Sequence, residues 1–142
     1  MITKIKTIEE LKLFVQENES LFRKKVCYAF RGEMGAGKTT LIHCILEYNG
    51  INSFQGSPTY SIINEYESQD GNCFYHIDCY RLKNDFEAFD LGLEELLSEK
   101  NPIFIEWADK IEKFLPADTI WIDISVSNDQ IRTIEIANEN RS

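Results

Sequence analysis

The sequence predicts an α/β domain built on a mixed parallel and antiparallel sheet. Two observations lead there: short apolar runs of strand length alternate with stretches of helical periodicity, and the chain closes on two neighbouring strands. At 142 residues it has the size of one compact domain, so residues 1–142 are expected to form a single unit. Apolar types make up 43% and charged types 27%, and a chain of this length buries roughly 70% of its unfolded surface without staples.

From Thr7, the positions Ile8, Leu11, Phe14 and Val15 recur at helical spacing, and Thr7-Ile8-Glu9-Glu10 has the form of a capping box. A first helix is expected over residues 7–19. Val26-Cys27-Tyr28-Ala29-Phe30 is a buried strand, bounded by basic residues before it and glycines after it. Leu41, Ile42, Ile45 and Leu46 then repeat at threes and fours until Gly50 stops the helix. Tyr60–Tyr66 and Cys73–Ile77 read as antiparallel strands joined through Asp70-Gly71. Residues 85–99 mix acidic residues with Phe86, Phe89, Leu91, Leu93, Leu96 and Leu97, predicting one or two short amphipathic helices broken at Gly92, with an acidic outer face. Pro102–Glu106 is a second buried strand. A helical stretch follows to Leu115, where Pro116 ends it, and Ile120–Val126 and Arg132–Ile136 complete the chain as strands.

The formal net charge is −9, of which −8 falls in residues 72–142, and this excludes broad nucleic-acid binding through the protein's own surface. Cys27, Cys44, Cys73 and Cys79 form no Cys-x-x-Cys pair and no dense disulfide framework, which points to a reducing cytoplasm. The N-terminal residues have neither the look of a signal peptide nor of a membrane span.

Gly32-Glu33-Met34-Gly35-Ala36-Gly37-Lys38-Thr39 satisfies the P-loop (Walker A) pattern and lies between a predicted strand and a predicted helix. That context narrows the fold class to a P-loop NTPase-like three-layer domain. Glycines let successive backbone N–H groups turn inward around phosphate oxygens, and the helix N-terminus adds its partial positive charge. Gly35, Ala36, Gly37, Lys38, Thr39 and Thr40 are thus the expected nucleotide-binding residues, with Lys38 reaching the β- and γ-phosphates and Thr39 meeting Mg²⁺. The plain alternative is a glycine turn capping an ordinary helix. No Asn-Lys-x-Asp guanine-reading element occurs, so ATP is the expected nucleotide.

A P-loop site needs a carboxylate at the carboxyl end of a neighbouring strand, and Glu106 and Asp78 both end predicted strands. Taken singly, each reads equally well as a strand-end cap or surface ion pair. His76 shares a strand face with Asp78 and by itself reads as a hydrogen-bonded core residue. Cys73, His76 and Cys79 are all zinc-binding types, but on a strand their side chains alternate between opposite faces, which argues against a zinc site. Thr59, in Ser57-Pro58-Thr59-Tyr60, sits where nucleotide switches carry a hydroxyl. Trp107 and Tyr80 follow the two carboxylates, and Arg81 is the one arginine near the candidate site in sequence.

Taken together, residues 32–40, Ser57-Pro-Thr-Tyr60, His76-Ile-Asp-Cys-Tyr-Arg-Leu82, Leu91-Gly-Leu-Glu-Glu95 and Ile105-Glu-Trp107 resemble the TsaE (YjeE) family over nearly the whole chain. These are small bacterial P-loop ATPases of tRNA threonylcarbamoyladenosine biosynthesis. The resemblance implies an ATPase that joins TsaD and TsaB, supports turnover of their complex, and meets tRNA only through it. It implies catalytic roles for Lys38, Asp78 and Glu106, with Thr39, Glu106 and Asp78 around Mg²⁺, and a place for Trp107 in the site's architecture. Departures are mild: Glu33-Met34 stands where Asp-Leu is usual, Ser61 follows Thr-Tyr where Thr is frequent, and Ala108 follows the tryptophan.

Two other functions fit a short P-loop domain. One is a small-molecule kinase, which would clamp the transferring group with several arginines; residues 82–131 contain none. The other is an interaction module that senses ATP and barely hydrolyses it.

Overall fold

A computed structural model describes residues 1–51 and 62–137. Among these residues seven strands form one sheet: β1 (Ile2–Ile5), β2 (Cys27–Arg31), β3 (Ile63–Glu67), β4 (Cys73–Asp78), β5 (Ile103–Glu106), β6 (Ile120–Val126) and β7 (Arg132–Ala137). The spatial order is β1-β7-β6-β2-β5-β4-β3. The four central strands β6, β2, β5 and β4 run parallel, and antiparallel pairs flank them on both sides. Every residue of β5 and nearly all of β2 are buried, which is why both read as unbroken apolar runs instead of alternating ones.

Helices cover both faces, giving the three layers expected. On β2, Tyr28 and Phe30 face one side and Cys27 and Ala29 the other, because successive strand residues alternate. The first side is closed by α1 (Ile8–Glu17), α2 (Glu19–Phe22) and α3 (Lys38–Tyr48), with Phe14, Phe22, Leu41 and Ile45 packed on the sheet and Tyr28 stacked on Phe104 at 5.0 Å between ring centroids. The second is closed by α4 (Asp85–Asp90), α5 (Leu93–Ser98) and a 3-10 segment, Ala108–Phe114.

Local signals place most element ends. Thr7 caps α1 by accepting the Glu10 N–H at 3.1 Å. The Glu10 carboxylate takes the N–H of Lys6, one residue before the cap, instead of closing the reciprocal box on Thr7. The first helix ends earlier than expected, at Glu17, and a separate turn, α2, follows. α3 ends at Tyr48 with Gly50 just beyond, and Gly92 separates α4 from α5.

Three features differ from the sequence reading. Strand β1 was hidden in the polar N-terminal stretch: Ile2-Thr3-Lys4-Ile5 is short, only Ile5 is buried, and it is β7 that holds it in place. The stretch before Leu115 is 3-10 helix, kinked at Ile111, because Ala108 and Ile111 turn inward at the three-residue spacing that a 3-10 helix aligns. Around Gly92, Ala88, Leu93 and Leu97 are buried while Phe86, Phe89 and Leu91 face outward, so the outer face of this helical pair is apolar as well as acidic. No helix among the described residues is long and apolar enough to cross a membrane.

Candidate functional site

The loop between β2 and α3 carries the P-loop sequence, and its glycines are needed for different reasons. A Cβ on Gly32 would stand 2.5 Å from the Ile124 carbonyl oxygen of β6, so this position demands close backbone approach. Gly37 has φ +108° at the cap of α3, and a Cβ there would also strike Arg132 Nε at 2.9 Å. The first N–H groups of α3 have no intrahelical acceptor, so the loop opens on a ready-made anion cradle.

Lys38, the first residue of α3, is buried, and its Nζ donates to the Gly32 carbonyl at 2.6 Å while standing 3.8 Å from the centroid of the Trp107 ring. Burial pulls the ammonium's pKa below its ordinary value, and Glu106, Asp78 and Asp109 pull it back. Thr39 turns its hydroxyl the other way, toward the sheet, and donates to Glu106 Oε2 at 2.8 Å and Oε1 at 3.0 Å.

The sheet register supplies the acidic half of the site. Asp78 and Glu106, the last residues of β4 and β5, are direct neighbours, and Phe30 of β2 lies beside Glu106. Glu106 is 4% exposed and Asp78 half-buried. The Asp78 carboxylate accepts the Tyr80 N–H at 3.0 Å; burial raises its pKa above the usual carboxylate value, with Glu106 adding to the shift and the Tyr80 bond opposing it. Phe74, His76 and Asp78 share one face of β4, and His76, fully buried, places Nε2 2.7 Å from Glu106 Oε2. Its ring meets His43 of α3 edge-on at 6.2 Å between centroids. His43 is four residues past Thr39, so the same helix face carries both over the strand-end groups.

Glu106 is followed by Trp107 at φ +58° and ψ +42°, a left-handed conformation that costs a residue with a Cβ about 1–2 kcal/mol. The sharp turn brings the indole to Lys38 and against Tyr80, at 5.0 Å between centroids. Lys110 in turn ties down the Tyr80 and Leu82 carbonyls.

The structure therefore brings together Lys38, Thr39, Asp78, Glu106 and Trp107. Gly35, Ala36 and Thr40 lie in the loop and the first helical turn as expected. Thr59 falls outside the described residues. Arg81 is exposed on the turn after β4. The arginine that holds the loop is Arg132 of β7, whose Nε donates to the Ala36 carbonyl at 2.9 Å. The count of arginines over residues 82–131 stops one position short of it; its only sequence signal is a basic residue opening the last predicted strand. Beside it, between α1 and the loop, lies an apolar cavity of about 100 Å³ lined by Ile8, Leu11, Thr40, Ile124 and Arg132, among others. Of the three zinc-type residues, His76 is engaged with Glu106, Cys79 packs in the apolar layer under α4 and α5, and Cys73 is half-buried at the start of β4.

Whether these residues suit a divalent cation is decided by their donors. Hydroxyl and carboxylate oxygens are the hard ligands Mg²⁺ takes, and Mg²⁺ needs only one or two from protein when phosphates and water complete its shell. Among the described residues there is no group of three or more His, Cys, Asp or Glu arranged to hold a metal alone. Glu106 nevertheless keeps a carboxylate almost fully buried, with a hydroxyl and an imidazole as its hydrogen-bond partners, and that fits a shared site.

Comparison with known proteins bears on the family and the fold. The model of the family described as threonylcarbamoyl adenosine biosynthesis protein TsaE matches residues 5–134. Proteins named tRNA threonylcarbamoyladenosine biosynthesis protein TsaE are similar along most of their length. That of Rickettsia bellii is 34% identical over 132 residues, covering 92% of this chain and 90% of its own. That of Bacillus subtilis is 35% identical over 127 residues, covering 89% and 78%. A crystal structure of Bacillus subtilis YdiB superposes with a TM-score of 0.74 at 29% identity, covering 94% of this chain and 82% of that one. With a matching family model, relatives above 30% identity over most of both chains, and the same fold, this chain belongs to the TsaE family.

Proposed function

We propose that this protein is the ATP-binding, Mg²⁺-dependent ATPase component of the machinery that makes threonylcarbamoyladenosine in tRNA. It works in the cytoplasm with TsaD and TsaB, supports turnover of their complex, and meets tRNA only through it. The observation that carries this reading is the hydrogen bond from the Thr39 hydroxyl to the Glu106 carboxylate, directly below the P-loop. The hydroxyl proton points at Glu106, which leaves the oxygen's lone pairs for a cation shared with phosphate.

In this reading the loop N–H groups and Lys38 bind the phosphates, and Lys38 exchanges the Gly32 carbonyl for phosphate oxygens. Thr39 and Glu106, with Asp78 beside them, hold Mg²⁺, which when bound neutralises charge developing on the phosphates. Glu106 also orients the attacking water. Trp107 keeps Lys38 aimed at the loop, and Arg132 stiffens the loop backbone. The apolar cavity between α1 and the loop takes the base, since its walls adjoin Gly37 and Thr40.

The test is ATP hydrolysis by the purified chain, alone and with TsaD–TsaB, for wild type and Glu106→Ala. Partner-stimulated hydrolysis in wild type and none in the variant is the expected result. A wild type that neither binds the partners nor changes its rate with them overturns the reading. ADP formed in step with a phosphorylated small molecule would instead establish a kinase.

A further inference from the structure

Thr39 donates to both oxygens of Glu106, at 2.8 and 3.0 Å, so this bond does not choose between them. A glutamate has three rotatable side-chain bonds and needs a second, asymmetric partner to fix the plane of its carboxylate. His76 supplies it: Nε2 lies 2.7 Å from Oε2, and both residues are essentially out of solvent. As the carboxylate is an acceptor, Nε2 carries the hydrogen. The other nitrogen, Nδ1, is buried and has no hydrogen-bond partner among the described residues, so among them the polar contact of this imidazole is the one with Glu106. The ring is held from above by the edge contact with His43 and from the side by the β4–β5 pairing.

We propose that His76 is a positioning residue: its Nε2–H fixes Oε2 of Glu106 and so sets the plane in which the carboxylate is presented to the cation and the attacking water. This rests on the ATPase reading above. The imidazole acts through Glu106 and touches neither nucleotide nor metal.

The test compares His76→Leu, His76→Asn and His76→Gln with wild type. A glutamine side chain places an amide nitrogen near the position of Nε2, whereas asparagine reaches only as far as Nδ1. Two quantities are measured: ADP affinity without metal, and Mn²⁺ affinity of the ADP complex from the free Mn²⁺ resonance signal. Metal-free ADP affinity is expected within about twofold of wild type in every variant, because no phosphate contact changes. Mn²⁺ affinity is expected to fall about tenfold or more in the Leu and Asn variants, the scale of losing a partner behind a metal ligand, and to recover in Gln. In the partner-stimulated assay kcat falls and KM holds. Equal Mn²⁺ affinity in wild type and a folded His76→Leu or His76→Asn overturns the proposal, as does a Gln variant no better than Asn, which would make the residue a filler of space. If Leu fails to fold, the Asn and Gln pair decides. A wild-type ADP complex that binds no Mn²⁺ overturns the ATPase reading itself and this inference with it, a result distinct from unaltered binding in the variants.

Discussion

The Thr39 hydroxyl and the Glu106 carboxylate, 67 residues apart in sequence, are hydrogen-bonded through both carboxylate oxygens. The bond joins the first turn of α3 to the end of β5 and so sets how far the P-loop stands above the sheet. Thr39→Val keeps the shape and removes the donor. We expect a loss of roughly 1–3 kcal/mol in urea unfolding, the cost of an under-satisfied buried acceptor, together with ATP hydrolysis reduced by about a hundredfold and metal-free ADP binding nearly unchanged.

Lys38 holds a carbonyl and an aromatic face where a phosphate is expected to sit. Lys38→Ala removes a charge-assisted bond of about 1.5–3 kcal/mol, so ADP affinity measured by calorimetry should drop by about 10- to 150-fold. An unchanged affinity would place the phosphates elsewhere.

Arg132 reaches the loop from the far end of the chain, and Gly37 leaves it room. Arg132→Ala should lower ADP affinity by about tenfold through a looser loop, and Arg132→Lys should not restore it, since the ammonium lacks the Nε–H geometry. Gly37→Ala is the more damaging change, because the positive φ costs about 1–2 kcal/mol before the clash with Arg132 is counted.

Two tryptophans are present, and only Trp107 faces Lys38; Trp121 lies under Arg31 at 4.5 Å. Nucleotide binding that draws Lys38 off the indole should change the fluorescence emission. The change should vanish in Trp107→Phe and persist in Trp121→Phe; the reverse pattern would remove Trp107 from the site.

Burial pushes the Cys27 thiol, 2% exposed, up to about 12 from an ordinary 9.0. A folded-state value above the unfolded one means that its stabilisation is complete below pH 9 and is lost as pH rises from there toward 12. Over that window the group contributes up to about 1.4 kcal/mol per pH unit. Cys27→Ala should therefore show a shallower decline of Tm between pH 9 and 11 than wild type, whatever its stability at neutral pH.

The order of elements, the phosphate loop and both strand-end carboxylates were legible in the residues, because each has a local signature. Val26–Phe30 and Pro102–Glu106 are continuous apolar runs of strand length, the loop has its glycines and lysine at fixed spacing, and Asp78 and Glu106 end predicted strands in a chain that carries a P-loop, which is what sets them apart from ordinary strand-end caps. Even the shared face of His76 and Asp78 follows from the two-residue repeat of a strand. What no local pattern contains is which strand lies beside which. Pairing β4 with β5 puts His76 and Asp78 against Glu106; pairing β7 with β6 puts Arg132 over Ala36 and Gly37; and pairing β7 with β1 makes a strand of Ile2–Ile5, whose own preference is too weak to show. Register across a sheet is selected by burial of whole faces and by hydrogen bonds between residues 30 to 96 positions apart here, so these contacts arise only when the sheet closes.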